Sequence, residues 1–90
     1  MNRIPIETGR VVVSKAGRDE GRTFIVIQEI DQDFVWVADG GLRGMDRPKK
    51  KRRKHLRPTP VRVDEFCRRM AEGTPVKDHE LRSWISKEEG

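Results

Sequence analysis

Six consecutive cations, Lys49, Lys50, Lys51, Arg52, Arg53 and Lys54, are the densest source of chemistry in this 90-residue sequence. They belong to a longer basic stretch that also holds Arg43, Arg47, His55 and Arg57. From Arg43 to Arg57 there are nine Lys or Arg and a single acid, Asp46, a formal charge of +8. Of the 20 basic and 15 acidic residues in the chain, the remainder keeps 11 and 14, or −3. Basicity is thus confined to one segment, which points to a polyanionic partner. Self-repulsion is expected to keep the run disordered or extended until an anion meets it. A solubilising linker and a nuclear localisation signal are the competing readings of such a run. If about five of its cations meet phosphates, log K falls with log salt at a slope near −4. Reversing the charges from Lys49 to Lys54 is expected to abolish that binding and leave the fold intact.

Other chemistry finds little support. The sequence has no paired-carboxylate motif, no phosphate-binding glycine loop before Lys-Ser/Thr and no metal-ligand spacing. The single cysteine, Cys67, forbids an intramolecular disulfide and fits a reducing compartment; with two separated histidines it does not make a structural zinc site. Pairing Cys67 with His79 for catalysis lacks a third group to orient them. Gly17 and Gly21 do not follow the dinucleotide-binding spacing. Neither an enzyme nor a cofactor is expected. Met1 to Glu7 has no apolar core of a signal peptide, and no apolar run is long enough to cross a membrane. The expectation is a soluble, cytoplasmic protein, monomeric when free.

The elements that position the cations are mostly short strands. Ile, Val, Leu and Phe make up 21 of 90 residues, clustered enough for one small core. Val11 to Val13 is a β-branched run after Gly9, and Thr23 to Ile30 and Phe34 to Ala38 are two further strands. The stretch Ser14 to Arg22 is marked as a loop by two glycines four apart, Gly17 and Gly21, with charged residues between them, and it carries Lys15, Arg18 and Arg22. Asp39-Gly40-Gly41 signals a hairpin, after which Leu42 to Asp46 reads as a fourth strand. His55 to Thr59 reads as a short closing strand, interrupted by Pro58. The second and third strands are apolar on both faces: Phe24 and Val26 oppose Ile25 and Ile27, and Phe34 and Trp36 oppose Val35 and Val37. Such strands need cover on a second face. Val63, Phe66, Cys67 and Met70 form one helical stripe, with Asp64 as N-cap and Gly73 as stop. A second helix starts near Asp78, with Leu81, Trp84 and Ile85 on one face. Both helices are too short to be stable alone and are expected to pack on the strands. Trp36, Phe34, Trp84 and Cys67 are read as core residues, with stacking on unpaired bases as the alternative for the aromatics.

The stretch Gly9 to Arg22, followed by the strand Thr23 to Ile27, resembles the KOW motif: strand, basic loop, glycine, strand. The order of elements looks like the archaeal and eukaryotic large-subunit ribosomal protein family of the fourteen-e type, with a KOW barrel and C-terminal helices. The length and the Lys-rich stretch before His55-Leu56 are closest to short bacterial relatives, the KOW-domain RNA-binding proteins. The resemblance implies a mainly β fold, an SH3-like barrel over residues 1–60 with a basic loop 47–57. A helical extension over 61–90, two short amphipathic helices, would pack on it. It also implies binding to ribosomal RNA of the large subunit, beside ribosomal protein neighbours, with the loop Lys15, Ala16, Gly17, Arg18, Gly21 and Arg22 on the RNA. Gly21 matches the hallmark glycine, where φ > 0 and close backbone approach are permitted. Asp19-Glu20 stands where relatives often place a Lys, and the two acids are expected to repel phosphate at the loop tip. The competing functional readings are a protein-interaction module, because SH3-like barrels also bind peptides, and a loosely binding RNA chaperone or transcription-associated factor.

Overall fold

Strand formation begins where β-branched residues cluster and ends where the chain must turn. The computed structural model describes residues 3–89. It contains β1 (Arg10–Ser14), β2 (Thr23–Glu29), β3 (Phe34–Ala38) and β4 (Lys49–Arg52). A 3₁₀ turn (Arg53–His55), β5 (Leu56–Arg62), α1 (Asp64–Glu72) and α2 (Asp78–Glu89) follow. The absence of an apolar leader read at Met1 to Glu7 falls partly outside the described residues. All strand pairs are antiparallel, in the order β4-β3-β2-β1-β5. Among the described residues no ladder joins β4 to β5, so the sheet curls without closing its hydrogen bonding into a full barrel.

Side-chain alternation divides the apolar residues between two clusters. Val12, Phe24, Val26, Val35, Val37 and Leu56 pack on the inner, concave face. Val11, Ile25, Ile27 and Ala38 face the other way and meet Phe66 of α1, Val76, and Leu81 and Ile85 of α2. Full burial of a Phe or Leu contributes about 1.5–3 kcal/mol, so the helices are held by what they cover. Trp84 and Trp36 pack half-buried against this second cluster, Trp84 edge-on to Phe66 at 6.3 Å between centroids. Arg69 ties the helices together, reaching Glu65 at 2.9 Å and Glu80 at 2.5 Å. α1 starts at Asp64, one residue earlier than the N-cap assignment requires. The cap position is Val63, whose side chain makes no capping bond; Asp64 and Glu65 instead place negative charge in the first turn. Gly73 ends the helix in the left-handed region.

Two strand assignments change. Leu42 to Asp46 is a loop, because Asp39 closes a turn on itself and the segment docks on the start of α2. The Asp39 carboxylate accepts the Gly41 and Arg43 N–H groups at 2.9 and 3.1 Å. Asp78 accepts the Met45 N–H at 2.8 Å, and Arg82 donates to the Gly40 carbonyl. The fourth strand is the cationic run itself. The basic segment 47–57 is therefore no loop for most of its length: it is β4, the 3₁₀ turn and the start of β5. The closing strand also runs longer than His55 to Thr59, tolerating Pro58 and Pro60 at the sheet edge.

Gly9 fixes where the helical segment meets the sheet. Its φ is +89°, its N–H donates to Val26 and its carbonyl accepts from Val63, both at 2.8 Å. A Cβ here would run into the Cys67 sulfur, which itself donates to the Thr8 carbonyl at 3.4 Å. Gly9→Ala is expected to cost about 2–4 kcal/mol, from a strained φ plus overpacking. Urea unfolding followed by tryptophan fluorescence measures it.

Candidate nucleic-acid interface

The loop between β1 and β2 is built around a buried acid. Ser14, at the end of β1, receives the Gly21 N–H on its carbonyl at 2.7 Å and donates its own N–H to Arg22 at 2.9 Å. Its hydroxyl donates to Asp19 at 2.8 Å. Asp19 is 8% exposed and accepts from Lys51 at 2.6 Å and from Lys49 at 2.8 Å. Burial opposes its charged form, but the hydrogen bonds from Lys49, Lys51 and Ser14, with the Lys51 charge, outweigh that. They hold its carboxyl well below the usual carboxylate range. The expectation that Asp19 repels phosphate at the loop tip is corrected accordingly: its charge is spent inward on two lysines. Glu20 remains exposed. Gly21 has φ +89° and nothing within 4 Å of a built Cβ, so the conformation demands glycine here while the surface over it stays open.

Pairing with β3 sorts the cations of β4. Lys49 and Lys51 lie opposite Val37 and Val35, on the inner face, and Lys50 and Arg52 lie opposite Trp36 and Phe34. Lys51 is consequently buried, with a second bond, beside that to Asp19, to the Ala16 carbonyl at 3.1 Å. Lys50 and Arg52 sit over the Phe34 ring, 4.5 and 5.1 Å from its centroid. Cation–π contact of this kind contributes about 0.5–1 kcal/mol at an exposed site. Self-repulsion along the run is thus offset by one carboxylate on one side and one aromatic face on the other.

Arg53 is also committed to the fold. It donates to the carbonyls of Ile6 at 2.6 Å and Asp31 at 2.9 Å, and to the Glu29 carboxylate at 3.0 Å. Lys15 stands beside the 3₁₀ turn, its N–H on the His55 carbonyl at 2.9 Å. Lys15, Arg18, Arg43, Arg47, Lys50, Arg52, Lys54 and Arg57 are exposed. Among the described residues none of these meets a carboxylate in an ion pair. Arg22 makes one long contact, 3.5 Å to Asp39, with half its side chain open. Of the residues singled out from sequence, Lys51 and Arg53 are turned to structural work, and His55 and Lys49 are half-buried.

Arg18, Arg22, Arg43 and Lys49 converge from two loops and β4 around one cleft of about 200 Å³, which reaches Leu42 and Phe24. Arg47, Lys50, Arg52, Lys54 and Arg57 lie outside it. Sequence reasoning missed Leu42 and Asp19 here. Leu42 passed as an ordinary strand residue, and Asp19 carried no local signal that it would point inward.

No family model matches the chain. It is 40% identical over 62 residues to a large ribosomal subunit protein eL14 of Methanococcus maripaludis strain C7, covering 66% of this chain and 70% of that protein. The same protein from strain C6 is 39% identical over the same shares. A third, from Desulfurococcus amylolyticus, is 46% identical over 55 residues, 60% of this chain and 56% of the relative. With that likeness carried over most of its length, the chain belongs to the large ribosomal subunit protein eL14 family.

Proposed function

We propose that this protein binds ribosomal RNA as a non-enzymatic component associated with the large ribosomal subunit, in the cytoplasm. The observation that carries the reading is the set of exposed cations that meet no carboxylate among the described residues, on the β1–β2 loop, the β3–β4 loop, β4 and the 3₁₀ turn. Family membership supplies the kind of polyanion: the relatives are named as ribosomal proteins. Phosphate contacts of this sort position a protein without reading sequence, so the shape of the folded RNA supplies the specificity. In this reading residues 1–60 act as an SH3-like barrel whose KOW loop, Lys15 to Arg22, lies on the RNA with Gly21 facing the backbone. Residues 61–90 brace it from behind. The strand order and the concave inner cluster support the barrel likeness, although the ladder stays open. The free protein is monomeric, with ribosomal protein neighbours only once assembled.

Lys51 and Arg53 are withdrawn from the phosphate contacts, which leaves Lys15, Arg18, Arg43, Arg47, Lys50, Arg52, Lys54 and Arg57 exposed; if about five of these meet phosphates at once, the salt slope stays near −4. Fluorescence anisotropy with large-subunit RNA from 50 to 300 mM salt (on the order of the range over which the slope is resolved) checks this. A flat salt dependence, or capture on the ribosome that survives nuclease treatment, would overturn the reading.

A further inference from the structure

We infer that the cleft between the β1–β2 and β3–β4 loops takes one unpaired nucleobase of the bound RNA, with Leu42 against the ring and Arg18, Arg22 and Arg43 around it. The inference rests on the RNA-binding reading and adds a site to it. Leu42 is 71% exposed, well beyond Ile4, Ile30 and Met70, the other exposed large hydrophobics among the described residues. A lone exposed leucine is ordinary, but this one is held on a rigid tip. The Arg43 carbonyl accepts the Asp39 and Gly40 N–H groups at 2.8 and 3.0 Å, closing the turn that the Asp39 carboxylate braces from within. The β1–β2 loop opposite is equally fixed, through Asp19 and Ser14. The cleft between two such walls exists before any ligand arrives.

Its chemistry selects the occupant. A phosphate alone uses the cations and leaves Leu42 in water. A base offers a flat apolar face to Leu42 and a stacking surface to guanidinium planes, while its own phosphates answer the surplus charge. The single acid in the cleft wall, Asp19, is already neutralised by Lys49 and Lys51. About 200 Å³ is below the roughly 300–1,000 Å³ of sites that enclose drug-sized ligands, which limits the occupant to one ring system. A base already out of a helix, in a bulge or loop, carries the smallest unstacking cost.

The test uses three labelled RNA hairpins: one with a single unpaired adenosine, one with an abasic ribose at that position, and one fully paired. Anisotropy is expected to show the adenosine bulge bound about tenfold more tightly than the abasic bulge. Leu42→Ser, at a position too exposed to affect folding, is expected to erase that difference while leaving abasic and paired RNA bound as before. Equal affinity for the adenosine and abasic bulges overturns the base site and leaves salt-dependent RNA binding standing, a phosphate-only cleft. Loss of binding to all three overturns both readings.

Discussion

Replacing Asp19 by alanine is expected to destabilise the fold by about 3–5 kcal/mol and to weaken RNA binding, although it removes a negative charge facing a polyanion. The cost arises because Lys51 is 7% exposed and Asp19 is its only carboxylate partner among the described residues. Removing one member of a buried pair strands the other charge in a poorly solvated place. Binding falls because the same carboxylate pins the β1–β2 loop through Ser14 and sets Arg18 and Arg22 against the cleft. Asp19→Leu combined with Lys51→Met separates the two effects. An apolar pair of similar volume restores most of the stability, but the tether to Lys49 and Ser14 is gone and affinity stays low. The pH dependence follows from the same group. Its folded pKa lies below the unfolded one, so the stability it contributes is complete above the unfolded value of about 4 and is lost as pH falls further towards the folded value. Urea midpoints at pH 7, 4 and 3 (roughly bracketing that window) should drop less in the alanine variant than in the native chain. A wild-type midpoint at pH 7 for Asp19→Ala would show that the pair is solvated.

The elements whose identity is written locally were legible from sequence. β1, β2 and β3 lie within one or two residues of the β-branched runs that announce them, and the helical stripe from Phe66 to Met70 ends at Gly73 as its pattern requires. The two-faced apolarity of β2 and β3 correctly demanded cover, which Phe66, Leu81 and Ile85 provide. β4 was illegible for a physical reason. Four consecutive cations disfavour pairing by every local measure, and they form a strand only because Asp19 and Phe34, distant in sequence, receive them on opposite faces. The same distance hides the role of Asp19, since composition records an acid's presence but not the direction of its side chain. Leu42 to Asp46 misled in the opposite sense. Its hairpin signal is real, but Asp78 and Arg82 of α2 bind the segment and divert it from the sheet.

Strand alternation also divides the cationic run into two functional populations, and variants of each should fail in different ways. Substituting glutamine for Lys50, Arg52, Lys54 and Arg57 together removes four exposed charges. Each phosphate contact contributes about 0.7–0.9 to the salt slope, so losing four flattens it by about 3 and lowers affinity at physiological salt by about 10²–10³-fold. Stability should move little, by about 1–2 kcal/mol at most, from lost contact with Phe34. Lys51→Gln with Arg53→Gln removes only two charges from the same run. It unmakes the Lys51 bonds to Asp19 and Ala16 and the Arg53 bonds to Ile6, Asp31 and Glu29. That pair is expected to cost about 3 kcal/mol or more, with the salt slope of the surviving folded fraction nearly unchanged. Reversing all six charges from Lys49 to Lys54 would therefore unfold the protein, and loss of binding in that variant would say nothing about contact with RNA. Thermal melts alongside anisotropy distinguish the two groups. A fourfold variant that keeps the native slope would move the phosphate contacts off β4 and the 3₁₀ turn, onto Lys15, Arg18, Arg22, Arg43 and Arg47 of the two loops.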